Sequence, residues 1–159
     1  MKPGCDYSIA WAFPRVAGRG RLMRPSGMVS VAIRVDGRAV RTFAEENLFV
    51  NGGLPALAAL IAGDGEGEFA AAIGFGSGGA APAVSDTGLT GPAYYKALGS
   101  HSEDDFGSVT FNWSLSGSDT GAVGLTIQEL GLFANKNSIT LPGANAPTPM
   151  LARKTITPI

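Results

Sequence analysis

The chain has 159 residues, a length that fits one domain with a single hydrophobic core. Hydrophobic residues make up 45% of it and charged residues 16%, which excludes a chain that is disordered by composition. The 23 glycines and 10 prolines favour many short strands over long helices. A formal net charge of -1 gives no reason to expect a nucleic acid or an anionic membrane as partner.

The sequence contains one cysteine, Cys5, and one histidine, His101. An internal disulfide is therefore excluded, and neither a metal site nor another cofactor is expected. The start of the chain lacks the apolar core of a signal peptide, and no window approaches the roughly 20 apolar residues of a membrane span. The sequence predicts a protein that is made and folded in a cytoplasm, without a membrane partner.

Residues 1–27 are rich in Arg, Gly and Pro and show no clear periodicity, which predicts an extended basic N-terminal arm ahead of a β-domain at 28–159. Up to residue 41 the chain carries a net charge of +6, and the remainder carries -7. This asymmetry indicates either chance clustering on solvated faces or an arm that contacts the acidic body of another subunit. Nucleic-acid binding is not the favoured use of the arm, because its four arginines are separated by scattered glycines and have no aromatic residues between them. The candidate assembly residues are Arg15, Arg19, Arg21 and Arg24.

The first β-element is a hairpin. From residue 28 the sequence MVSVAIRV alternates apolar and other side chains, and RAVRTF returns after Asp36 and Gly37. An Asp-Gly pair tolerates the positive φ angles of a tight two-residue turn. These residues predict two antiparallel strands joined at Asp36-Gly37.

One short helix is expected at about 54–62. Leu54, Leu57, Ala58 and Ile61 recur at helical spacing, Asn51 is placed to cap the first turn, and Pro55 is tolerated there. A helix of two to three turns is too short to be stable alone. We therefore expect it to lie with this apolar stripe against a sheet.

Further strands are predicted up to Phe75 and in the runs SVTFNWSL, LTIQELGLF and PMLARKTI, whereas YYKAL is ambiguous. Six or seven strands with one helix favour a mainly β fold, a single-domain antiparallel β-sandwich. The glycine cluster at 74–79, GFGSGG, lacks the Gly-Lys-Ser/Thr ending of a phosphate loop. It predicts a wide turn where backbone approaches backbone, or a loop packed on another subunit.

His101 lies in GSHSEDDFG, which is typical of an acidic solvated loop. No Gly-x-Ser-x-Gly elbow accompanies it, so no catalytic residue and no enzyme are predicted. A small hydrolase that uses His101, and a weak cation site at Asp104 and Asp105, are the alternatives.

Glu129 is a charged residue within an apolar strand. The period of two places it on the same side as Ile127, Gly131 and Phe133. A buried carboxylate must be paired and hydrogen-bonded, and Arg153 in the last strand is the candidate partner. The alternative is a bulge near Gly131 that turns Glu129 to solvent.

Four segments together resemble small structural proteins of tailed bacteriophages, the tail-fibre, tail-collar and baseplate-associated proteins. In chain order they are NLFVNGGLPALAALIAG, IGFGSGGAAPAVSDTGL, IQELGLFANK and MLARKTITPI, so the resemblance covers 47–159. It implies that the matching positions define the fold and are not catalytic. These positions are Asn47, Asn51, Gly53, Leu54, Gly74, Gly76, Asp86, Leu89, Glu129, Gly131, Leu132, Phe133, Ala152 and Arg153.

The resemblance implies a non-enzymatic virion component made in the cytoplasm of a bacterial host. We expect symmetric copies that contact each other and other virion proteins, in a tail, collar, baseplate or fibre attachment. One alternative is a capsid decoration protein. Another is a carbohydrate-binding module that contacts host-surface glycans through exposed aromatic residues such as Tyr94 and Tyr95.

Overall fold

The computed structural model describes residues 5–12, 27–62, 69–97, 99–104, 108–135 and 149–159. These ranges contain a helix, α1 (Gly53–Ala62), a short 3₁₀ turn at Thr120–Ala122, and nine strands. The strands are β1 (Cys5–Ala12), β2 (Gly27–Val35), β3 (Arg38–Phe49), β4 (Phe69–Gly76), β5 (Ala93–Ala97), β6 (Ser100–Glu103), β7 (Val109–Leu115), β8 (Glu129–Asn135) and β9 (Met150–Thr155). The predicted mainly β fold with one short helix is confirmed.

The nine strands form one antiparallel sheet in the order β5-β4-β8-β9-β3-β2-β1-β7-β6. Strands that are far apart in this order share one core: Ile9 of β1 and Trp113 of β7 belong to the same buried cluster as Ile73 of β4 and Leu132 of β8. The sheet is therefore curled around its core. The predicted division into the two layers of a sandwich is not confirmed.

The hairpin of β2 and β3 is present where the sequence predicts it. The strands pair in antiparallel register from Gly27↔Asn47 to Val35↔Arg38. Asp36 and Gly37 have φ angles of 49° and 75°, as a tight turn between right-twisted strands requires.

The start of the chain differs from the predicted arm. Cys5–Ala12 forms strand β1, which pairs with β2 on one side and with β7 on the other. Ile9 is buried in the core. Residues 5–12 are therefore an interior strand of the sheet, stabilised by two ladders of backbone hydrogen bonds, and are not an arm. Arg15, Arg19, Arg21 and Arg24 lie outside the described residues, so their role in assembly stays a prediction.

Helix α1 occupies the predicted position but buries a different side. Leu54 of the predicted stripe is 43% exposed, whereas Ala56 is buried. The helix begins so close to β9 that a Cβ on Gly53 would lie 2.9 Å from the Cα of Leu151, a spacing that favours small residues at the contact. Asn51 lies in the preceding turn, where its backbone N–H donates to the carbonyl oxygen of Val84 over 2.8 Å. Its side-chain cap stays a prediction.

Candidate functional site: a buried ion-pair network under a glycine-rich loop

Strand β8 is buried on both faces. Leu130 and Leu132 belong to the main core, while Phe133 packs on the opposite face in a second cluster that includes Leu89. Leu89 lies in the loop at 77–92, which connects β4 to β5. Glu129 is on the same face as Phe133, because side chains alternate along a strand. The loop therefore covers the face of the sheet to which Glu129 belongs.

Glu129 and Arg153 form the pair that the alternating pattern predicts. The Nη2 and Nε atoms of Arg153 donate to Oε2 of Glu129 over 2.6 Å and 2.9 Å. Glu129 is 0% exposed and Arg153 is 1% exposed. The register shift between β8 and β9 comes after Gly131, between Leu132 and Phe133. The alternative of a bulge that turns Glu129 to solvent is therefore wrong.

The second oxygen of Glu129 binds the backbone of the covering loop. Its Oε1 accepts N–H groups from Gly78 at 3.0 Å, Thr90 at 2.9 Å and Gly91 at 3.1 Å. Gly78 is near the start of the loop and the other two are near its end. One carboxylate oxygen therefore holds both ends of the loop. These charge-assisted hydrogen bonds also offset the cost of burying the carboxylate.

Arg153 extends the network to the middle of the loop. Its Nη1 donates to Oδ2 of Asp86 over 2.7 Å, and its Nη2 donates to the carbonyl oxygen of Ala80 over 3.0 Å. The same Asp86 oxygen accepts the N–H of Ala83 at 2.8 Å. Burial alone would raise the pKa of Asp86, but this N–H and the Arg153 guanidinium outweigh it and lower that pKa below its ordinary value. Asp86 therefore stays charged to a lower pH than an aspartate with the ordinary pKa.

The glycines of GFGSGG make room for the carboxylate. A Cβ on Gly76 would lie 2.6 Å from Oε1 of Glu129, and a Cβ on Gly78 would lie 2.5 Å from it. The predicted wide turn with close backbone contact is thus a cradle for one side chain. Gly131 has a related role, since a Cβ there would lie 2.7 Å from the ring of Phe133 and 2.9 Å from Leu89.

A second polar cluster, which the sequence reasoning missed, joins β5 to the segment after β7. Oδ1 of Asp119 accepts Nζ of Lys96 at 2.8 Å and the hydroxyl of Tyr94 at 3.1 Å, while its Oδ2 accepts the N–H of Ser116 at 2.8 Å. Lys96 also donates to the carbonyl oxygen of Ser114. The Ser-x-x-Asp spacing of Ser116 and Asp119 was the only local signal for it. The cluster connects β5, at one end of the strand order, to β7 near the other end.

Tyr94 and Tyr95 do not form the exposed aromatic face that a glycan module needs. Tyr95 is 5% exposed and packs edge-on against Phe133 at 5.4 Å between ring centroids. Tyr94 is half-buried, with its hydroxyl bonded to Asp119. These two residues do not form one sugar-binding platform, because neighbouring residues of a strand lie on opposite faces of the sheet: Tyr94 packs against the main core and Tyr95 lies in the second cluster with Phe133.

The segment around His101 is also different from its prediction. Ser100–Glu103 forms the edge strand β6, in which His101 is opposite Phe111 of β7 and every residue is exposed. It is a solvated strand rather than a solvated loop. Asp104 follows it and accepts the N–H of Ser108 at 2.7 Å, while Asp105 lies outside the described residues.

Among the described residues, no group of three or more His, Cys, Asp or Glu side chains is arranged to hold a metal ion. The described part of the chain also contains no helix with the length and apolarity for crossing a membrane. The chain matches no protein-family model, no curated protein and no solved structure.

Proposed function

We propose that this protein is a non-enzymatic structural component of a tailed-phage virion, which assembles with copies of itself and with other virion proteins. A tail, collar, baseplate or fibre-attachment position is favoured, and capsid decoration is the alternative position. The proposal begins from the four segments that resemble tailed-phage structural proteins.

One observation carries the proposal: residues that bear the resemblance meet in the buried network. Glu129, Arg153 and Asp86 bond to each other or to the loop at 77–92, and Gly76 leaves space for the Glu129 carboxylate. Glu129 and Arg153, at the centre of the network, are buried. Such a network fixes the shape of a loop and does not present a reactive group to a substrate. This supports a role in which the protein supplies a rigid surface.

The direct test is the composition of purified particles. Phage particles from a lysate that expresses this chain should contain it in a fixed copy number by quantitative mass spectrometry. Gold-labelled antibody against the chain should bind at one position on the particle. Labelling of the tail would support the favoured position, and labelling of the capsid would support the decoration alternative. A chain that is abundant in the lysate but absent from purified particles would contradict the proposal.

The assembly role predicted for the arginines of the arm must be tested with a variant that leaves β1 intact. Replacing Arg15, Arg19, Arg21 and Arg24 with glutamine removes the candidate assembly charges and keeps every residue of β1. We expect this variant to fold but to be depleted from particles, whereas Arg38→Gln, an exposed arginine outside the arm, should incorporate normally. Equal incorporation of both variants would show that the arm charges are not needed.

A further inference from the structure

Strand β3 has an edge that the sheet does not use. Its whole length up to Asn47 pairs with β2 on one side, but on the other side only Leu48 and Phe49 pair with β9. No described strand pairs with this second edge between Arg38 and Asn47. Unpaired N–H and C=O groups along an edge are a template for another strand.

This edge is open to solvent. Apart from the half-buried Phe43, all residues from Arg38 to Glu46 are exposed, and Val40 is 62% exposed. The pairing with β2 shifts register between Ile33 and Arg34, which leaves Val40 as an extra residue on β3. A bulge of this kind interrupts a ladder. The regular part of the free edge is therefore 41–46.

The charges on the regular part are self-complementary. Arg41, Phe43 and Glu45 are on one face of β3, because they alternate along a regular strand. The guanidinium of Arg41 lies 5.5 Å from the ring centroid of Phe43. Glu45 contacts Lys154 at 2.7 Å and remains 45% exposed, so its carboxylate can accept a second cation.

We propose that the free edge of β3 pairs in antiparallel orientation with the same edge of a second copy of this chain. The two-fold register with Phe43 opposite Phe43 of the second copy places Arg41 of each copy opposite Glu45 of the other. Each dimer then contains two opposite-charge pairs that flank an aromatic pair, which is the arrangement that stabilises cross-strand contacts. This inference rests on the proposed function, since it names a surface through which assembling copies associate.

The test measures the association of purified full-length chain by sedimentation equilibrium at low and high salt. We expect a concentration-dependent dimer that weakens as salt screens the charge pairs. Arg41→Glu alone, or Glu45→Arg alone, sets like charges opposite each other twice per dimer and should raise the dissociation constant roughly tenfold or more. The double variant Arg41→Glu/Glu45→Arg restores opposite charges and should recover the dimer.

The matched control is Arg38→Glu, which makes the same charge reversal on the same strand but beyond the bulge. It should leave the dissociation constant unchanged, and circular dichroism should show the same β content in all four variants. A chain that stays monomeric at every concentration would overturn the proposal. A dimer that neither single variant weakens, or that the double variant fails to restore, would also overturn it, because copies would then meet through another surface.

This measurement is independent of particles. A chain that dimerises through β3 but is absent from virions would reject the proposed function alone. A monomeric chain that is present in virions would reject only the β3 pairing, and binding of this edge to a different virion protein would be one explanation for that result.

Discussion

At the scale of single residues, Glu129 determines how the loop at 77–92 sits on the sheet. Its two oxygens have different partners: Oε2 pairs with the guanidinium of Arg153, and Oε1 accepts three backbone N–H groups of the loop. A buried charge pair is not in itself a large source of stability, because both ions lose their hydration. Removing one partner lowers the stability strongly, because the other charge then stays buried without a counter-charge.

Glu129→Gln tests this asymmetry with little change in shape. The amide oxygen can accept the loop N–H groups, but the amide nitrogen then faces the donors of Arg153, which keeps its charge without its main partner. We expect the free energy of unfolding to fall by about 3–5 kcal/mol in urea denaturation followed by circular dichroism. Glu103→Gln, on the exposed strand β6, should change it by less than about 0.5 kcal/mol. Similar small effects of both substitutions would show that the network does not hold the fold.

Gly78 lies so close to the Glu129 carboxylate that it leaves no space for a side chain. In Gly78→Ala the new methyl group would overlap Oε1 of Glu129 and the hydroxyl of Thr90, so the loop must move away from the carboxylate. We expect a loss of about 1–3 kcal/mol in the free energy of unfolding. Gly88→Ala, in the same loop, meets no atom within 4 Å and should be neutral or slightly stabilising. A neutral Gly78→Ala would mean that the loop is not tightly held.

At the scale of elements, the Asp119 cluster links β5 to the end of β7 and so helps to close the curled sheet. Burial would raise the pKa of Asp119, but the hydrogen bonds from Lys96, Ser116 and Tyr94 outweigh it and lower that pKa. A carboxyl group whose pKa is lower in the folded state contributes stability above its unfolded pKa of about 3.9. This contribution is lost as the pH falls through the folded pKa.

Asp119→Asn should therefore destabilise the protein by about 1–3 kcal/mol at pH 7, where the charged hydrogen bonds are complete. The difference from the wild-type protein should shrink as the pH falls below about 4, because Asp119 of the unfolded wild-type chain then binds a proton that the folded chain takes up only at a lower pH. Thermal unfolding at pH 7, 5, 4 and 3 measures both quantities. A difference that is the same at pH 7 and pH 3 would exclude a charge-dependent role of Asp119.

The elements differ in how far the sequence determines them. Alternation and turn chemistry are local, so the β2–β3 hairpin, β7 and β8 could be predicted. The Glu129–Arg153 pair could be predicted because alternation places a carboxylate among apolar side chains, and a buried carboxylate needs a cationic partner. Strand β6 reads SHSE, without alternation, because it is an exposed edge. The contact of Asp86 with Arg153 joins residues that are 67 positions apart, and nothing in either segment specifies the other. The buried side of α1 depends on how closely the backbone approaches β9, which hydrophobic spacing does not encode.

At the scale of the whole molecule, β1 explains why the start of the chain could be mistaken for an arm. Tyr7, Ile9 and Trp11 alternate as a strand does, but the adjacent Arg- and Gly-rich run dominates the composition. In the sheet, β1 separates β2 from β7, with eight residue pairs on one side and six on the other. It is the shared neighbour through which β6 and β7 join the other strands.

Deleting residues 1–12 should therefore abolish cooperative folding rather than release a peripheral segment. The deletion removes Ile9 from the core and leaves the facing edges of β2 and β7 without a partner, which separates β7 and β6 from the rest of the sheet. Since a small domain folds in an all-or-none transition, we expect the truncated chain to lose its near-ultraviolet circular dichroism and its thermal transition. Deletion of residues 1–4 alone spares β1 and should preserve both signals. A 13–159 chain that still unfolds cooperatively would show that β7 is held by the Asp119 cluster instead of by β1.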